Sequence, residues 1–163
     1  MKAKSLLAAL SLMILFTACF KNPEDPCKTY NACSFRAPES EIQQVRSYIQ
    51  SAGITDTVQH CSGVYYVIQD PGTGKSPTPC SYIGATYTGR LTNGTVFDQG
   101  SFNQLIRLTG LVKGWTNTIP LIKQGGSIRL FIPPSLGYGG QQVGTIPPNS
   151  VLIFDVQLTH VEQ

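Results

Sequence analysis

The sequence predicts an α+β protein in which a sheet of several strands packs against one short helix. Between residues 63 and 163, aromatic and β-branched runs are separated by turns rich in glycine, proline and asparagine, a pattern typical of β-strands joined by tight connections. The segment from Thr116 to Ile122 contains Pro120 and is followed by Gly125-Gly126, so it can form only a turn or two of helix. A second, amphipathic helix is predicted before the sheet.

The start of the chain predicts export. Residues 1–4 include Lys2 and Lys4, residues 6–16 form an apolar stretch, and Thr17-Ala18 are small, as in a secretory signal peptide. The apolar stretch is shorter than the ~20 residues that cross a bilayer. Residues 15–19 resemble a bacterial lipobox, with Phe16 in place of the usual leucine, and predict acylation of Cys19. The chain is then lipid-anchored to the bacterial cell envelope, at the periplasmic or surface face of the outer membrane; an unmodified secreted protein is the alternative.

Length and charge predict one domain with no nucleic-acid partner. Removal of residues 1–18 leaves 145 of the 163 residues, with ten basic and nine acidic side chains and a net charge of about +1. This length suits a single core, and this charge does not suit nucleic acid. Residues 19–38 are polar and proline-containing, which predicts a flexible tether. A short helix and linker over residues 39–62 then precede the sheet domain, residues 63–163.

Four cysteines remain when the acylated one is set aside: Cys27, Cys33, Cys61 and Cys80. An even number in an oxidising compartment predicts two disulfides, with three pairings open. The close spacing of Cys27 and Cys33 makes a local bridge the simplest choice, leaving Cys61 for Cys80. A metal site is the alternative, but the sequence has no Cys-x-x-Cys pair and His60 is the one histidine nearby, so the spacing is poor for zinc. We expect no metal and no cofactor.

The predicted N-terminal helix begins after Pro38. Ile42, Val45 and Ile49 lie on one face, and Gly53 provides a stop signal. We expect this apolar face to pack against the following domain, with docking to a partner as the alternative.

Four strands are predicted at Val64 to Gln69, Ile83 to Leu91, Ser127 to Ile132, and Val151 to Val161. Asn93-Gly94 predicts a tight hairpin into Val96-Phe97. The last strand alternates, with one face formed by Leu152, Phe154, Val156 and Leu158.

Two catalytic motifs can be set aside. Gly74-Lys75-Ser76 resembles part of a phosphate loop, but Gln69 stands where that motif needs glycine, and Pro77 blocks the required helix. The sequence also contains no Gly-x-Ser-x-Gly elbow, and its carboxylates form no evident pair.

Aromatic and aliphatic residues are concentrated in the glycine-rich and proline-rich connections. The motifs are Tyr87-Thr88-Gly89, Val96-Phe97-Asp98, Leu111-Val112-Lys113-Gly114-Trp115, Tyr138-Gly139-Gly140, and Ile146-Pro147-Pro148 followed by Val151 to Val156. In order and spacing, these motifs resemble those of the FKBP-type peptidyl-prolyl cis-trans isomerases. The resemblance implies a twisted antiparallel sheet wrapped around one short helix, with an apolar pocket that receives a proline ring.

The same resemblance assigns roles within that pocket. Trp115 forms the floor, and the walls are Tyr87, Phe97 and Phe154. Leu111 and Val112 form the rim. Either the backbone N–H of Ile146 or the hydroxyl of Tyr138 binds the peptide, and Asp98 points its carboxylate toward the imide. Taken singly, each aromatic side chain is more often a core residue than a site residue. Taken together within these motifs, the site interpretation is favoured for Tyr87, Phe97, Asp98, Trp115 and Tyr138, whereas Leu111, Val112 and Phe154 could serve equally as packing.

The resemblance implies an isomerase that assists the folding of exported proteins, acts on proline-containing polypeptides as a monomer, binds rapamycin and tacrolimus, and needs no cofactor. Two features depart from the family pattern. The loop from Gly139 to Ile146 is about one residue shorter than in well-known eukaryotic members, and Gln104 and Ile106 lie near positions that are often aromatic. A non-catalytic peptide-binding or chaperone module is therefore the alternative, ahead of a purely structural envelope lipoprotein.

Overall fold

The computed structural model describes Cys27, residues 29–102 and residues 104–162. The expected signal peptide and Cys19 lie outside this part. Within it, the helices and strands in chain order are α1 (Glu39–Ser51), β1 (Val58–Gln59), β2 (Tyr65–Asp70), β3 (Tyr82–Leu91), β4 (Val96–Ser101), β5 (Ile106–Arg107), α2 (Lys113–Thr118), β6 (Ser127–Ile132) and β7 (Leu152–Glu162). Single 3₁₀ turns occur at Leu108–Gly110, Ile119–Leu121 and Pro134–Leu136. Neither described helix is long and apolar enough to cross a membrane.

The strands form one antiparallel sheet in the order β1-β2-β6-β7-β3-β4. β5 pairs with the start of β3, at Tyr82 and Ile83, whereas β4 pairs with the same strand farther along, from Thr86 to Arg90. The strand that pairs with this edge of β3 therefore changes from β5 to β4, and residues 102–105 connect the two short strands.

The predicted strands agree with the observed ones to within about one residue at most ends, and the alternation predicted for β7 is confirmed. Leu152, Phe154, Val156 and Leu158 are buried. The register shifts between β3 and β7 at Gly84/Ala85, so beyond this bulge Val161 is buried in place of His160. The two-residue strands β1 and β5 are too short to carry a periodic signal.

The short helix begins earlier than the sequence predicts. α2 starts at Lys113, not Thr116, because the carbonyl of Val112 accepts the backbone N–H groups of Trp115 and Thr116. The helix lies against β6 so closely that a Cβ on Gly114 would come 2.6 Å from the side chain of Ile132. A larger residue there would push the helix off the sheet.

The predicted amphipathic helix α1 packs on the sheet domain. Its residues Ile42, Val45 and Ile49 are buried in the same core as Phe131. At its C-terminus, Gly53 adopts a φ of 63° and the backbone N–H of Ile54 donates to Ile49, as in a Schellman motif. The carboxylate of Glu41 accepts the backbone N–H of Ser135 at 2.8 Å, which ties the helix to the turn after β6.

The disulfides join Cys27 to Cys80 and Cys33 to Cys61, so the local pairing predicted from sequence spacing is wrong. The reason is that the N-terminal segment lies along the domain instead of folding on itself. The hydroxyl of Tyr30 donates to Asn117 of α2, and each N-terminal cysteine then meets a cysteine of the domain. In the described part of residues 19–38, the two disulfides and the Tyr30 bond therefore hold the chain against the domain.

Candidate functional site

A cavity of about 80 Å³ opens between α2 and the sheet. It is lined by Tyr87, Asp98, Phe102, Leu111, Val112, Trp115, Tyr138 and Phe154. A larger groove of about 650 Å³ beside α1 is lined mainly by serine, glutamine, asparagine and threonine. Of these two cavities, the small one has a mainly aromatic and aliphatic lining, and it contains seven of the nine predicted pocket residues.

Trp115, the predicted floor of the pocket, lines this cavity from α2. It sits in the first turn of α2 with 3% of its surface exposed. Its ring meets Tyr87 and Phe154 edge to face, with centroids 5.6 and 5.3 Å away, and each such pair contributes about 0.5–1.5 kcal/mol beyond burial. The indole Nε1 has no hydrogen-bond partner among the described residues. The indole is thus held by packing alone.

Tyr87 and Asp98 form one side of the cavity mouth. They lie on the adjacent strands β3 and β4, and the Tyr87 hydroxyl donates to Asp98 Oδ2 at 2.8 Å. Partial burial of the phenol, followed by its bond to the carboxylate, raises the pKa of Tyr87 to about 12. Asp98 itself is exposed. This pair places a negative carboxylate, oriented by a neutral phenol, beside an otherwise apolar opening.

Phe97 supports the wall from behind and does not line the cavity. Its ring packs edge to face on Phe154 at 5.4 Å. Both rings cover Gly89, where a Cβ would lie 2.6 Å from Phe97 and 2.9 Å from Phe154. The glycine of the Tyr87-Thr88-Gly89 motif is therefore required by the close approach of these two rings.

Ile146 is not among the cavity-lining residues, and its backbone N–H is already engaged. It donates to the carbonyl of Val143 at 2.9 Å, while the N–H of Val143 donates back at 3.1 Å. The side chain of Ile146 is 5% exposed. Of the two peptide-binding donors predicted from the sequence, the structure therefore brings Tyr138 to the cavity and leaves the Ile146 N–H in a turn.

Phe102 is a wall residue that sequence reasoning missed. At the break between β4 and β5, its backbone N–H donates to Ala85 at 3.0 Å, and its ring lies 5.3 Å from Tyr87 and 6.0 Å from Trp115. It supplies an aromatic surface that neither Gln104, which is exposed, nor Ile106, which pairs in β5, provides. The one sequence feature that could have indicated its role is that an aromatic residue stands in a connection that contains glycine.

A six-residue helix packed on an antiparallel sheet, with an indole at the bottom of an aromatic cavity, is the architecture that the sequence resemblance implies. Residues 74–159 match the family model described as FKBP-type peptidyl-prolyl cis-trans isomerase. The chain belongs to this family.

Individual relatives agree with this assignment. The chain is 40% identical over 105 residues to the FKBP-type peptidyl-prolyl cis-trans isomerase FkpA of Escherichia coli K12, and 39% identical over 132 residues to FkpA of Buchnera aphidicola from Acyrthosiphon pisum. These matches cover 62% and 77% of this chain but 38% and 53% of the relatives. The chain thus spans about two fifths to half the length of these two curated relatives.

Solved structures show the same fold. A peptidyl-prolyl cis-trans isomerase from Pseudomonas syringae superposes with a TM-score of 0.67 at 30% identity, covering 78% of this chain and 98% of that one. The crystal structure of FkpA from Escherichia coli also gives a TM-score of 0.67, at 32% identity, covering 76% of this chain and 60% of that one.

Proposed function

We propose that this chain catalyses cis-trans isomerisation of Xaa-Pro bonds in exported polypeptides. The observation that carries the proposal is the placement of Trp115 beneath a cavity walled by Tyr87, Phe102 and Phe154. A proline ring is compact and apolar, so it can fill such a cavity while the peptide on either side remains in solvent.

The chemistry requires no bond to the protein. Rotation about an Xaa-Pro bond must break amide resonance, with a barrier of about 18–20 kcal/mol. The twisted amide has lost much of its carbonyl dipole, so a water-poor aromatic site binds it better than the planar forms and lowers the barrier. Among the cavity-lining residues, Asp98 is the sole carboxylate, and it accepts a hydrogen bond from Tyr87.

The remaining roles follow from exposure and position. Tyr138 is 37% exposed at the cavity, so its hydroxyl can donate to a carbonyl of the bound peptide and hold it in a turned shape. Asp98 acts electrostatically near the rotating imide. Leu111 and Val112 close the rim around the proline ring and limit the entry of water.

The proposal also includes where in the cell the protein acts. Two disulfides suit an oxidising compartment outside the cytoplasm, and the sequence at Cys19 suits acylation after removal of residues 1–18. The chain would then act as a monomer at the outer membrane, on its periplasmic or surface face. Rapamycin and tacrolimus would occupy the proline cavity as competitors.

A second candidate is a non-catalytic peptide-binding or chaperone module. The observation that favours it is that the N–H of Ile146 donates within a turn and that Gln104, near a position often aromatic in the family, is not among the cavity-lining residues. Such a protein would retain affinity for proline peptides without accelerating rotation.

The deciding experiment measures isomerisation of a short Xaa-Pro peptide by the purified protein with both disulfides intact, with and without rapamycin. Asp98→Ala and Trp115→Leu are the site variants, and Tyr82→Phe, an exposed tyrosine outside the cavity lining, is the control. Acceleration that rapamycin and the site variants reduce would support the isomerase. Rapamycin binding without acceleration would support the binding module, and the absence of both would reject the proposal.

A further inference from the structure

Outside the proline cavity, three side chains that ligate metals come together where the N-terminal segment meets the loop before β2. The ligand atoms of Cys33, His60 and Cys61 all lie within 4.8 Å of one another. Cys61 Sγ is 3.7 Å from each ring nitrogen of His60. No local sequence pattern predicts this cluster, because Cys33 is 28 residues from its disulfide partner Cys61.

We propose that reduction of the Cys33–Cys61 disulfide converts this corner into a binding site for a thiophilic metal ion such as Zn²⁺, held by both thiolates and the His60 imidazole. The metal would replace the lost disulfide as a link between the N-terminal segment and the domain. Two thiolates and one imidazole form a ligand set that zinc accepts, with a fourth position left for water.

The spacing of the ligand atoms fits this use. Zinc–sulfur and zinc–nitrogen bonds of about 2.3 and 2.0–2.1 Å in a tetrahedral site place sulfur and nitrogen about 3.6 Å apart. The observed separation of 3.7 Å between Cys61 Sγ and His60 is close to this value. The two sulfur atoms must separate from a bonded distance of about 2.0 Å to about 3.8 Å, a change that two exposed turns can accommodate.

Contacts independent of the disulfide keep the site assembled after reduction. The backbone N–H of Ala37 donates to Ser62 at 2.9 Å, and the guanidinium of Arg36 donates to the carbonyl of Cys61 at 3.1 Å. The two chain segments therefore remain adjacent when the sulfur–sulfur bond is broken, so little ordering is needed when the metal binds.

Ser62 orients the imidazole. Its Oγ lies 2.8 Å from His60 Nδ1, and its backbone N–H donates to the same nitrogen at 3.2 Å. In the disulfide form Nδ1 is therefore the acceptor, and Nε2 carries the proton of the neutral imidazole. For Nε2 to bind a metal, this proton must move to Nδ1, which then gives up the bond from the Ser62 N–H and donates to Ser62 Oγ, the kind of supporting hydrogen bond that fixes histidine ligands.

The reaction balances with a dithiol as the reductant. The external dithiol gives two electrons and two protons to the disulfide and becomes a disulfide itself, while Cys33 and Cys61 become thiols. Binding of Zn²⁺ then releases the two thiol protons. Reoxidation by an external disulfide, which takes up the two electrons and two protons and becomes a dithiol, re-forms the Cys33–Cys61 disulfide and expels the metal. Cys33 and Cys61 are exposed, whereas Cys27 and Cys80 are half-buried, so the reductant reaches the proposed pair more readily.

The test uses the unmutated chain, fully reduced and then alkylated with or without Zn²⁺, with modified cysteines located by mass spectrometry. We expect Zn²⁺ to slow alkylation of Cys33 and Cys61 at least tenfold and to leave Cys27 and Cys80 unprotected. Equal protection of all four cysteines, or protection of none, would overturn the proposal.

A second measurement tests the histidine ligand. In a Cys19→Ser, Cys27→Ser, Cys80→Ser background, the reduced protein should bind one Co²⁺ with thiolate-to-metal absorption, and reoxidation should abolish this absorption. His60→Gln should weaken Co²⁺ binding at least tenfold, whereas His160→Gln, at the exposed end of β7, should not. Equal affinity of the His60→Gln variant and its parent would remove histidine from the site and contradict the proposal.

Discussion

The hydroxyl of Tyr30 donates to Asn117 Oδ1 on α2, two residues after the tryptophan that forms the cavity floor. Lys113, at the start of the same helix, places its ammonium 5.9 Å from the ring centroid of Phe35. With Cys27 bonded to Cys80 and Cys33 to Cys61, the N-terminal segment therefore contacts the helix that supports the cavity floor. The stability of this helix and the order of the segment are coupled.

Removal of the Tyr30 hydroxyl should loosen that coupling. In Tyr30→Phe, the amide of Asn117, which is 6% exposed, loses its partner, and an unsatisfied buried group costs about 1–3 kcal/mol. We expect the denaturant midpoint to fall accordingly. The fluorescence of Trp115, the one tryptophan of the sequence, provides the measurement. Tyr82→Phe is the matched control, and an unchanged midpoint in Tyr30→Phe would show that the contact contributes nothing.

A methyl group at Gly89 should damage the cavity wall from behind. Gly89→Ala places a Cβ 2.6 Å from Phe97 and 2.9 Å from Phe154, and such overpacking costs about 1–3 kcal/mol. We expect both lower stability and weaker rapamycin binding. Gly100→Ala is the control because a Cβ there meets nothing within 4 Å, and it should leave stability unchanged or improve it slightly. Equal behaviour of the two variants would contradict the steric argument.

Tyr87 should titrate at higher pH than an ordinary tyrosine. Burial first, and then the bond to Asp98, raise its pKa to about 12 from 10.0. Because the folded protein holds this proton more tightly than the unfolded chain, the stability that it contributes is present below pH 10 and is lost as the pH rises toward 12. Ultraviolet absorbance titration should lose one high-pH step in Tyr87→Phe.

An Asp98→Asn variant separates the two causes of this shift. It removes the carboxylate but leaves the phenol partly buried, so the Tyr87 step should move down while staying above 10. If the pKa of Tyr87 stayed unchanged in Asp98→Asn, the carboxylate would not contribute to the shift. If that pKa fell to the ordinary value of 10.0, burial would not contribute.

The Tyr138 hydroxyl should contribute to catalysis through one hydrogen bond. A neutral hydrogen bond is worth about 0.5–1.5 kcal/mol, so Tyr138→Phe should lower kcat/KM about two- to tenfold while leaving stability nearly unchanged, since the side chain is exposed. The measurement is the isomerase assay on short Xaa-Pro peptides, with Tyr82→Phe again as the control. Full activity in Tyr138→Phe would remove the hydroxyl from the mechanism.

Sequence alone determined the features that are encoded over a few residues. The apolar stripe of Ile42, Val45 and Ile49 identified α1, and the two-residue alternation in β7 identified its buried face, because helices and strands repeat over short intervals. The five motifs identified the family and most of the cavity, including Trp115, Tyr87, Asp98 and Tyr138.

Only the tertiary structure decided the features that depend on distant parts of the chain. The disulfide pairing followed from the path of the N-terminal segment along α2, which no local pattern records. Phe102 became a wall residue because the edge of β3 changes partners beside it, and the Ile146 N–H lies away from the cavity lining because it donates to the carbonyl of Val143 within a turn. Hydrogen bonds and side-chain packing between remote segments must be satisfied jointly, so their outcome is fixed only when the whole chain is folded.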